Sequence, residues 1–221
     1  MFVKPYATGR TVIIAGATGL VGQEIMQGLL ADQTVAAVHC LGRKSPAIAH
    51  PKLIAHVVDF ACLPELPHAD EVYLALGTTI KVAGSQATFR AVDYDANLAV
   101  AKAAMAAGAK KAGLVSAMGA DANSKVFYSR VKGELENALT QLPWMGLIIA
   151  RPSMLEGNRA ALGQPTRRAE EWASALGKLF GFLIPANYKP IEAAAVASAL
   201  LSAVPSAKGL QVLLSGVMQQ R

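Results

Sequence analysis

Two side chains that could exchange a proton, Tyr128 and Lys132, lie four residues apart. Residues at that spacing share one face of an α-helix. A phenol gives up its proton reluctantly near neutral pH, and a nearby cation stabilises the phenolate that remains. The pair could therefore act as a proton donor and acceptor, with the ammonium group assisting the phenol. Such a pair also arises by chance, so its meaning depends on where the fold places it.

A glycine-rich turn near the N-terminus could bind a phosphate group. The segment Thr11–Gly22 reads TVIIAGATGLVG, and its β-branched start is typical of a buried parallel strand. The three glycines permit a tight turn, close approach of a phosphate, and close packing of the following helix. The free N–H groups at that helix N-terminus favour an anion such as a dinucleotide pyrophosphate. The predicted contacts are Gly16, Thr18, Gly19, Leu20 and Val21.

The choice of dinucleotide depends on Arg43 and Lys44, which follow the second predicted strand. A dinucleotide fold that selects NAD places an acid about twenty residues beyond the glycines, to bond the ribose hydroxyls. Here no acid is in reach at that distance, and a guanidinium can hold a 2′-phosphate with two parallel bonds. We therefore predict NADP as the cofactor. The alternative is NAD, with the basic pair acting as a solvated turn.

The elements that must position these residues alternate between strand and helix patterns. After Thr11–Ile14, the predicted strands are Thr34–Leu41, Leu53–Val58, Glu71–Leu76, Ala112–Val115, Gly146–Ala150 and Leu210–Leu214. The predicted helices include Ala96–Ala107, Lys125–Leu139, Glu170–Phe180 and Ile191–Val204. This order predicts an α/β fold, a Rossmann-type doubly wound parallel sheet with helices on both faces. We expect a single domain over residues 1–221, in which 151–221 complete the sheet and form a small cap over the cleft.

Several further candidates directly follow predicted strands. Ligands of an open parallel sheet bind beyond the carboxyl ends of its strands, so these residues should share one rim. Ser116 could hydrogen-bond a substrate carbonyl there, although a serine at a strand end can equally cap local backbone. The remaining predicted cofactor contacts are Asp59, Phe60, Leu76, Gly77, Thr78, Thr79, Ser116, Tyr128, Lys132, Arg151, Pro152 and Ser153.

Composition excludes several other classes of protein. The chain has 221 residues, 53% of them hydrophobic, and a formal charge of +6. Its basic residues are scattered without interleaved aromatic residues, which argues against a nucleic-acid partner, and its alanine-rich runs fall short of a membrane span. The two cysteines and four histidines show no metal-ligand spacing, and a chain of this length does not need Cys40 and Cys62 to pair, which indicates reduced thiols in the cytosol. We expect a soluble cytoplasmic protein, monomer or homodimer, that takes a small-molecule substrate.

The chain resembles an atypical, extended-like short-chain dehydrogenase/reductase. The resemblance covers most of the chain up to Arg151–Pro152, and its narrower features resemble the Tat-interacting-protein-like oxidoreductases. It is carried by Ala15–Gly22, Leu76–Thr79, Val92–Asp93, Leu114–Ser116, Gly119–Asp121 and Tyr128–Glu134. It implies a Rossmann fold that binds NADP(H), with Tyr128 and Lys132 as the catalytic pair and Ser116 as their helper.

One departure from the family keeps other functions open. The family often has two serines at the end of the fifth strand, whereas here Ser116 is followed by Ala117. Asn97 is only a loose candidate for a catalytic asparagine. The leading interpretation is an NADP(H)-dependent oxidoreductase acting on a carbonyl or alcohol. The alternatives are a catalytically weak, redox-sensing NADP(H)-binding regulatory protein, and an isomerase or epimerase with tightly held nicotinamide.

Overall fold

The computed structural model describes residues 9–156 and 185–220. Nine strands lie in this part of the chain, and seven of them form one sheet in the order β3-β2-β1-β4-β5-β6-β9. The strands are β1 Arg10–Ala15, β2 Val35–Gly42, β3 Leu53–Val57, β4 Glu71–Leu74, β5 Lys111–Val115, β6 Gly146–Arg151, β7 Leu155–Glu156, β8 Ile191–Glu192 and β9 Gly209–Leu214. Every neighbouring pair is parallel. The predicted doubly wound Rossmann-type sheet is confirmed.

Helices cover both faces of this sheet. They are α1 Leu20–Ala31, α2 Ile80–Ala83, α3 Gln86–Arg90, α4 Asn97–Ala106, α5 Phe127–Thr140, α6 Ala193–Ala203 and α7 Ser215–Met218, with a π-helical segment, Ala91–Ala96, between α3 and α4. Successive residues of a strand point to opposite faces. Accordingly, Val12 and Ile14 of β1 pack in one core with α1 and α6, while Ile13 and Ala15 pack in the other with α4 and α5.

The predicted elements are nearly all present, with local differences. Ile191 and Glu192 form a strand with β7, so the helix after Pro190 begins only at Ala193. Helices α2 and α3 were not predicted, although each begins with a side-chain cap: Thr79 Oγ1 accepts the Val82 amide at 3.2 Å, and Ser85 Oγ caps α3 similarly. The predicted helix Glu170–Phe180, and most of the predicted cap, lie outside the described residues.

The order of the sheet reverses between β1 and β4. From β1 the chain builds outward through β2 and β3, and it returns to place β4 on the other side of β1. The loops after β1 and β4 therefore leave in opposite directions and open a crevice at the carboxyl ends of these strands. No helix among the described residues has the length and apolar character needed to cross a membrane.

Candidate functional site

Two glycines shape the loop after β1. Gly16 has φ +91°, and a Cβ there would lie 2.3 Å from the backbone of Ala75 after β4. A Cβ on Gly22 would lie 2.1 Å from the carbonyl oxygen of Gly16. Neither position has room for a side chain, so both glycines let α1 start directly against the sheet. Gly19 is different, because its φ is −81° and a Cβ would lie at an ordinary 3.4 Å from the Gly16 oxygen.

The N-terminus of α1 is suited to binding an anion, and all of its residues belong to the described part of the chain. Its N-cap residue Gly19 provides no side-chain hydrogen bond, and its first turn contains no acidic residue. The first amides of a helix lack partners within the helix, and the helix dipole makes this end positive. A pyrophosphate would satisfy both requirements. The contacts predicted between a phosphate and Gly16, Thr18, Gly19, Leu20 and Val21 remain predictions at this helix end.

Arg43 and Lys44 lie beside this turn. β2 pairs with β1 through Leu41 and Ala15, so the residues that follow Gly42 emerge next to the glycine loop. Both basic side chains are exposed, and neither forms a hydrogen bond or ion pair with another residue in the described part of the chain. Both cations are therefore available to a phosphate bound at the rim.

The residues after β3 lie further out, because β2 separates β3 from β1. Asp59 is exposed, and its Oδ1 accepts the Ala61 amide at 2.9 Å. Phe60 packs against the core beneath the sheet. Both side chains have local structural roles, and their predicted contacts with a cofactor remain predictions.

Lys132 meets the loop after β4 at a buried carboxylate, Asp93. The Lys132 side chain is 6% exposed and that of Asp93 1%, and Lys132 Nζ lies 2.8 Å from Asp93 Oδ1. The other oxygen, Oδ2, accepts the Thr78 amide at 2.8 Å. A Cβ on Gly77 would lie 3.5 Å from Asp93 Oδ1 and 3.9 Å from Lys132 Nζ. The fold thus brings together the predicted residues Gly77, Thr78 and Lys132.

Asp93 was not among the predicted site residues, although it contributed to the family resemblance. A signal for it exists in the sequence, because Phe89, Asp93 and Asn97 recur every four residues. All three are fully buried. Asn97 Nδ2 donates to the carbonyl oxygens of Leu76 at 3.0 Å and Asp93 at 3.1 Å. Asn97 therefore supports the loop after β4.

Tyr128 occupies the first turn of α5, one turn before Lys132. Its half-buried ring packs on the buried ring of Phe89, with the ring centroids 5.6 Å apart at an interplanar angle of 51°. Within the described residues its hydroxyl has no hydrogen-bond partner. The phenol is thus held by aromatic packing while its oxygen stays available to a ligand.

Ser116 is placed at the end of β5, but its hydroxyl has a partner. The buried Ser116 Oγ donates to Glu136 on α5, and Glu136 also accepts from Arg151, whose Nε lies 3.1 Å from each carboxylate oxygen. The hydrogen bond to Glu136 raises the pKa of Arg151, and burial opposes that shift. Ser116 and Arg151 are therefore joined through Glu136, which the sequence analysis did not single out.

Other predicted residues at the rim form internal bonds. The Pro152 carbonyl accepts the Met118 amide at 2.8 Å, and the Ser153 amide donates to Ser215 Oγ at 2.7 Å. These bonds join the ends of β5, β6 and β9. Next to them lies a cavity of about 130 Å³, lined by Met118, Arg151, Asn187, Tyr188, Leu214 and Ser215.

A larger open groove of about 700 Å³ lies away from the rim, between the π-helical segment and α5. Two of its charged groups bind each other, because Arg90 pairs with Glu134, and Arg90 also stacks over the Tyr94 ring at 4.3 Å. The candidate site is the rim, where most of the predicted residues lie.

Known structures define the class of fold. A UDP-N-acetylglucosamine 4-epimerase from Methanobrevibacter ruminantium M1, in complex with UDP-N-acetylmuramic acid, superposes with a TM-score of 0.69, 16% identity, and coverage of 94% of this chain and 77% of that one. An oxidoreductase of the short-chain dehydrogenase/reductase family from Burkholderia thailandensis gives a TM-score of 0.68, 17% identity, and coverage of 97% and 94%. The Bordetella bronchiseptica enzyme WbmG, in complex with NAD, superposes with a TM-score of 0.66 and 13% identity, and the match covers 97% of this chain and 75% of that one. The chain therefore shares the Rossmann-type fold of these enzymes, one of which is a short-chain dehydrogenase/reductase, in agreement with the predicted fold.

Sequence relatives identify the protein family to which the chain belongs. "Protein FMP52, mitochondrial" from Coccidioides immitis (strain RS) is 34% identical over 189 residues, covering 78% of this chain and 75% of the relative. The protein of the same name from Lodderomyces elongisporus is 34% identical over 197 residues, covering 83% and 82%. The chain belongs to the FMP52 protein family. No protein-family model matches the sequence.

The predicted cytoplasmic location is wrong on this comparison, because these relatives are named as mitochondrial proteins. The prediction depended on two cysteines with no need to pair, Cys40 and Cys62, which are free in the structure. Free thiols indicate a reducing environment, and they do not distinguish one reducing compartment from another.

Proposed function

We propose that the chain is an NADP(H)-dependent oxidoreductase that acts on a small carbonyl or alcohol substrate, with Tyr128 as acid and base and Lys132 as its partner. The observation that supports this most is the meeting of two loops at the crevice between β1 and β4. The glycine turn after β1 contacts Ala75 after β4. The loop then continues from Ala75 to Thr78, whose amide binds the carboxylate of Asp93, and the same carboxylate pairs with Lys132. A phosphate-binding turn and a buried lysine thus lie on one rim.

The residues present fit a dinucleotide. Gly16 and Gly22 keep side chains out of the turn, and the uncapped N-terminus of α1 suits the pyrophosphate. Arg43, with Lys44, would bind the 2′-phosphate that distinguishes NADP from NAD. The loop Leu76–Thr79 and Lys132 would face the nicotinamide ribose. When bound, the cofactor supplies or accepts a hydride.

Tyr128 and Lys132 would move the proton that accompanies the hydride. In the reducing direction Tyr128 Oη gives its proton to the carbonyl oxygen, which leaves a phenolate one turn from the Lys132 ammonium. A cation near the phenolate lowers its free energy. Ser116 remains the proposed helper. Its hydroxyl must first break its hydrogen bond with Glu136 before it can donate one to a substrate carbonyl.

The test of this function is consumption of NADPH in the presence of a panel of aldehydes, ketones and quinones. Tyr128→Phe is the matched variant, because it removes only the hydroxyl and keeps the ring that packs on Phe89. General acid–base catalysis contributes roughly 10²–10⁴-fold, and we expect a loss of about that size. If the wild type consumes NADPH no faster than the variant on every substrate, this function is contradicted.

A second candidate, a redox-sensing NADP(H)-binding regulatory protein, is favoured by the state of Ser116. Its hydroxyl is bonded to Glu136, and the next residue, Ala117, has no hydroxyl. This candidate predicts tight binding of NADP(H) without turnover. It also predicts a protein partner whose affinity differs between the NADP⁺-bound and NADPH-bound forms. Equal partner affinity in both forms would contradict it.

A further inference from the structure

Four buried residues form a stripe along the run from α3 through the π-helical segment to α4. The support stripe consists of Phe89, Asp93, Asn97 and Ala101, each 0% exposed. In an α-helix of 3.6 residues per turn, a step of four residues drifts around the axis. The π-helical segment has wider turns, which counter this drift and keep the stripe on one side. π-Helical turns of this kind occur frequently at functional sites.

The support stripe contacts both members of the Tyr–Lys pair. Phe89 packs under the ring of Tyr128, and the next member, Asp93, lies 2.8 Å from Lys132 Nζ. Asn97 holds the Leu76 carbonyl at 3.0 Å. One helical run therefore supports the phenol, the ammonium group and the loop after β4.

The carboxylate of Asp93 has two separate partners. Oδ1 faces Lys132 Nζ, and Oδ2 accepts the Thr78 amide. Among the described residues Lys132 is the cation that pairs with it. A buried charge left without its partner is costly, so each of these two ions depends on the other.

We propose that Asp93 is a positioning residue, which holds Lys132 and the Thr78 loop in one fixed arrangement. This inference rests on the proposed role of Lys132 toward the cofactor. Asp93→Asn retains an oxygen for the Thr78 amide but removes the negative charge beside Lys132. Without this charge no other carboxylate among the described residues fixes the Lys132 ammonium group in place, so Lys132 would hold the ribose less well.

The experiment is a titration of NADPH into wild type and Asp93→Asn, with thermal unfolding of each protein. We expect the dissociation constant of Asp93→Asn to exceed that of the wild type by about tenfold, because the variant no longer fixes Lys132 and the Thr78 loop together. The matched control is Asp95→Asn, which makes the same change at an exposed site of the same segment. Its ratio to the wild type should stay near one.

The same titration is repeated in a Lys132→Met background, where Asp93→Asn should no longer weaken the binding of NADPH. A ratio near one when Lys132 is present, or an equally large ratio when it is absent, overturns the inference. If the wild type binds neither NADPH nor NADH, the proposed function fails instead, and the unfolding data still test the pair. Asp93→Asn should then unfold at a lower temperature, and adding Lys132→Met should recover part of the loss. If the double variant is no more stable than Asp93→Asn, or also fails to fold, the inference is overturned.

Discussion

Replacing Gly22 by alanine should lower the stability of the fold, whereas replacing Gly19 should leave stability nearly unchanged and weaken cofactor binding. A Cβ on Gly22 would lie 2.1 Å from a backbone oxygen, well inside the 3.0 Å that Cβ atoms essentially always keep. Forcing atoms into a packed site costs about 1–3 kcal/mol, and replacing a helical glycine returns about 1 kcal/mol. The atom met by the new Cβ belongs to the backbone, so the cost lies at the upper end of that range and the net loss is about 2 kcal/mol. This loss corresponds to a fall of about 4–8 °C in unfolding temperature.

Gly19 lacks these constraints. Its φ of −81° is accessible to alanine, and a Cβ would sit at 3.4 Å from the Gly16 oxygen. The unfolding temperature of Gly19→Ala should stay within about 2 °C of the wild type. The new methyl group would stand at the N-terminus of α1, where a phosphate must approach the backbone, so NADPH affinity should fall about tenfold or more.

Thermal unfolding and calorimetric titration of NADPH measure the two effects separately. Gly28→Ala is the control within α1, because its Cβ would meet only the end of the flexible Leu201 side chain. This control should retain the wild-type affinity. The reasoning is refuted if Gly19→Ala binds NADPH like the wild type, or if Gly22→Ala unfolds no earlier than Gly28→Ala.

Two further predictions concern stability. Arg10→Met should lower the free energy of unfolding by about 2–4 kcal/mol in urea titrations, because it leaves Glu71, 4% exposed, without its cation. Adding Glu71→Gln should recover part of that loss, and a loss below about 0.5 kcal/mol for the single variant would be contrary to expectation. Burial and then the neighbouring His56 lower the pKa of His39, so the unfolded chain takes up a proton first as the pH falls below about 6.5, and stability should decline there. In unfolding measurements between about pH 7 and about pH 5, His39→Asn should reduce this loss of stability, whereas the control His68→Asn, at an exposed position, should not. If stability falls equally steeply with pH in the two variants, His39 is not the group responsible.

The fold could be predicted because its signals are local. β-Branched runs such as Val12–Ile14 mark buried strands, and the glycine spacing marks the strand–turn–helix unit. Right-handed crossovers then limit the ways in which these units can be arranged in one parallel sheet. The π-helical segment is not predicted from the sequence, since the predicted helix Ala96–Ala107 includes only its last residue.

The side-chain partners within the site could not be predicted from spacing. Ser116 looks free to bind a substrate until its partner Glu136, twenty positions further along the chain, is placed against it. Asp93 and Lys132 are likewise far apart in sequence and meet only through the packing of the support stripe against α5. The spacing of Tyr128 and Lys132 along one helix could be recognised in the sequence. Contacts between different elements could be recognised only in the folded structure.

Both candidate functions require a dinucleotide at the rim. Calorimetric titration of NADPH and of NADH into the wild type and Arg43→Ala therefore tests both functions. Hydrogen bonds to charged groups contribute roughly 1.5–3 kcal/mol each, so Arg43→Ala should weaken NADPH binding by about ten- to a hundredfold. NADH lacks the 2′-phosphate, and its affinity should not change. Equal weakening of both dinucleotides would mean that Arg43 supports the loop rather than the phosphate. If the wild type binds neither dinucleotide, the proposed site is wrong.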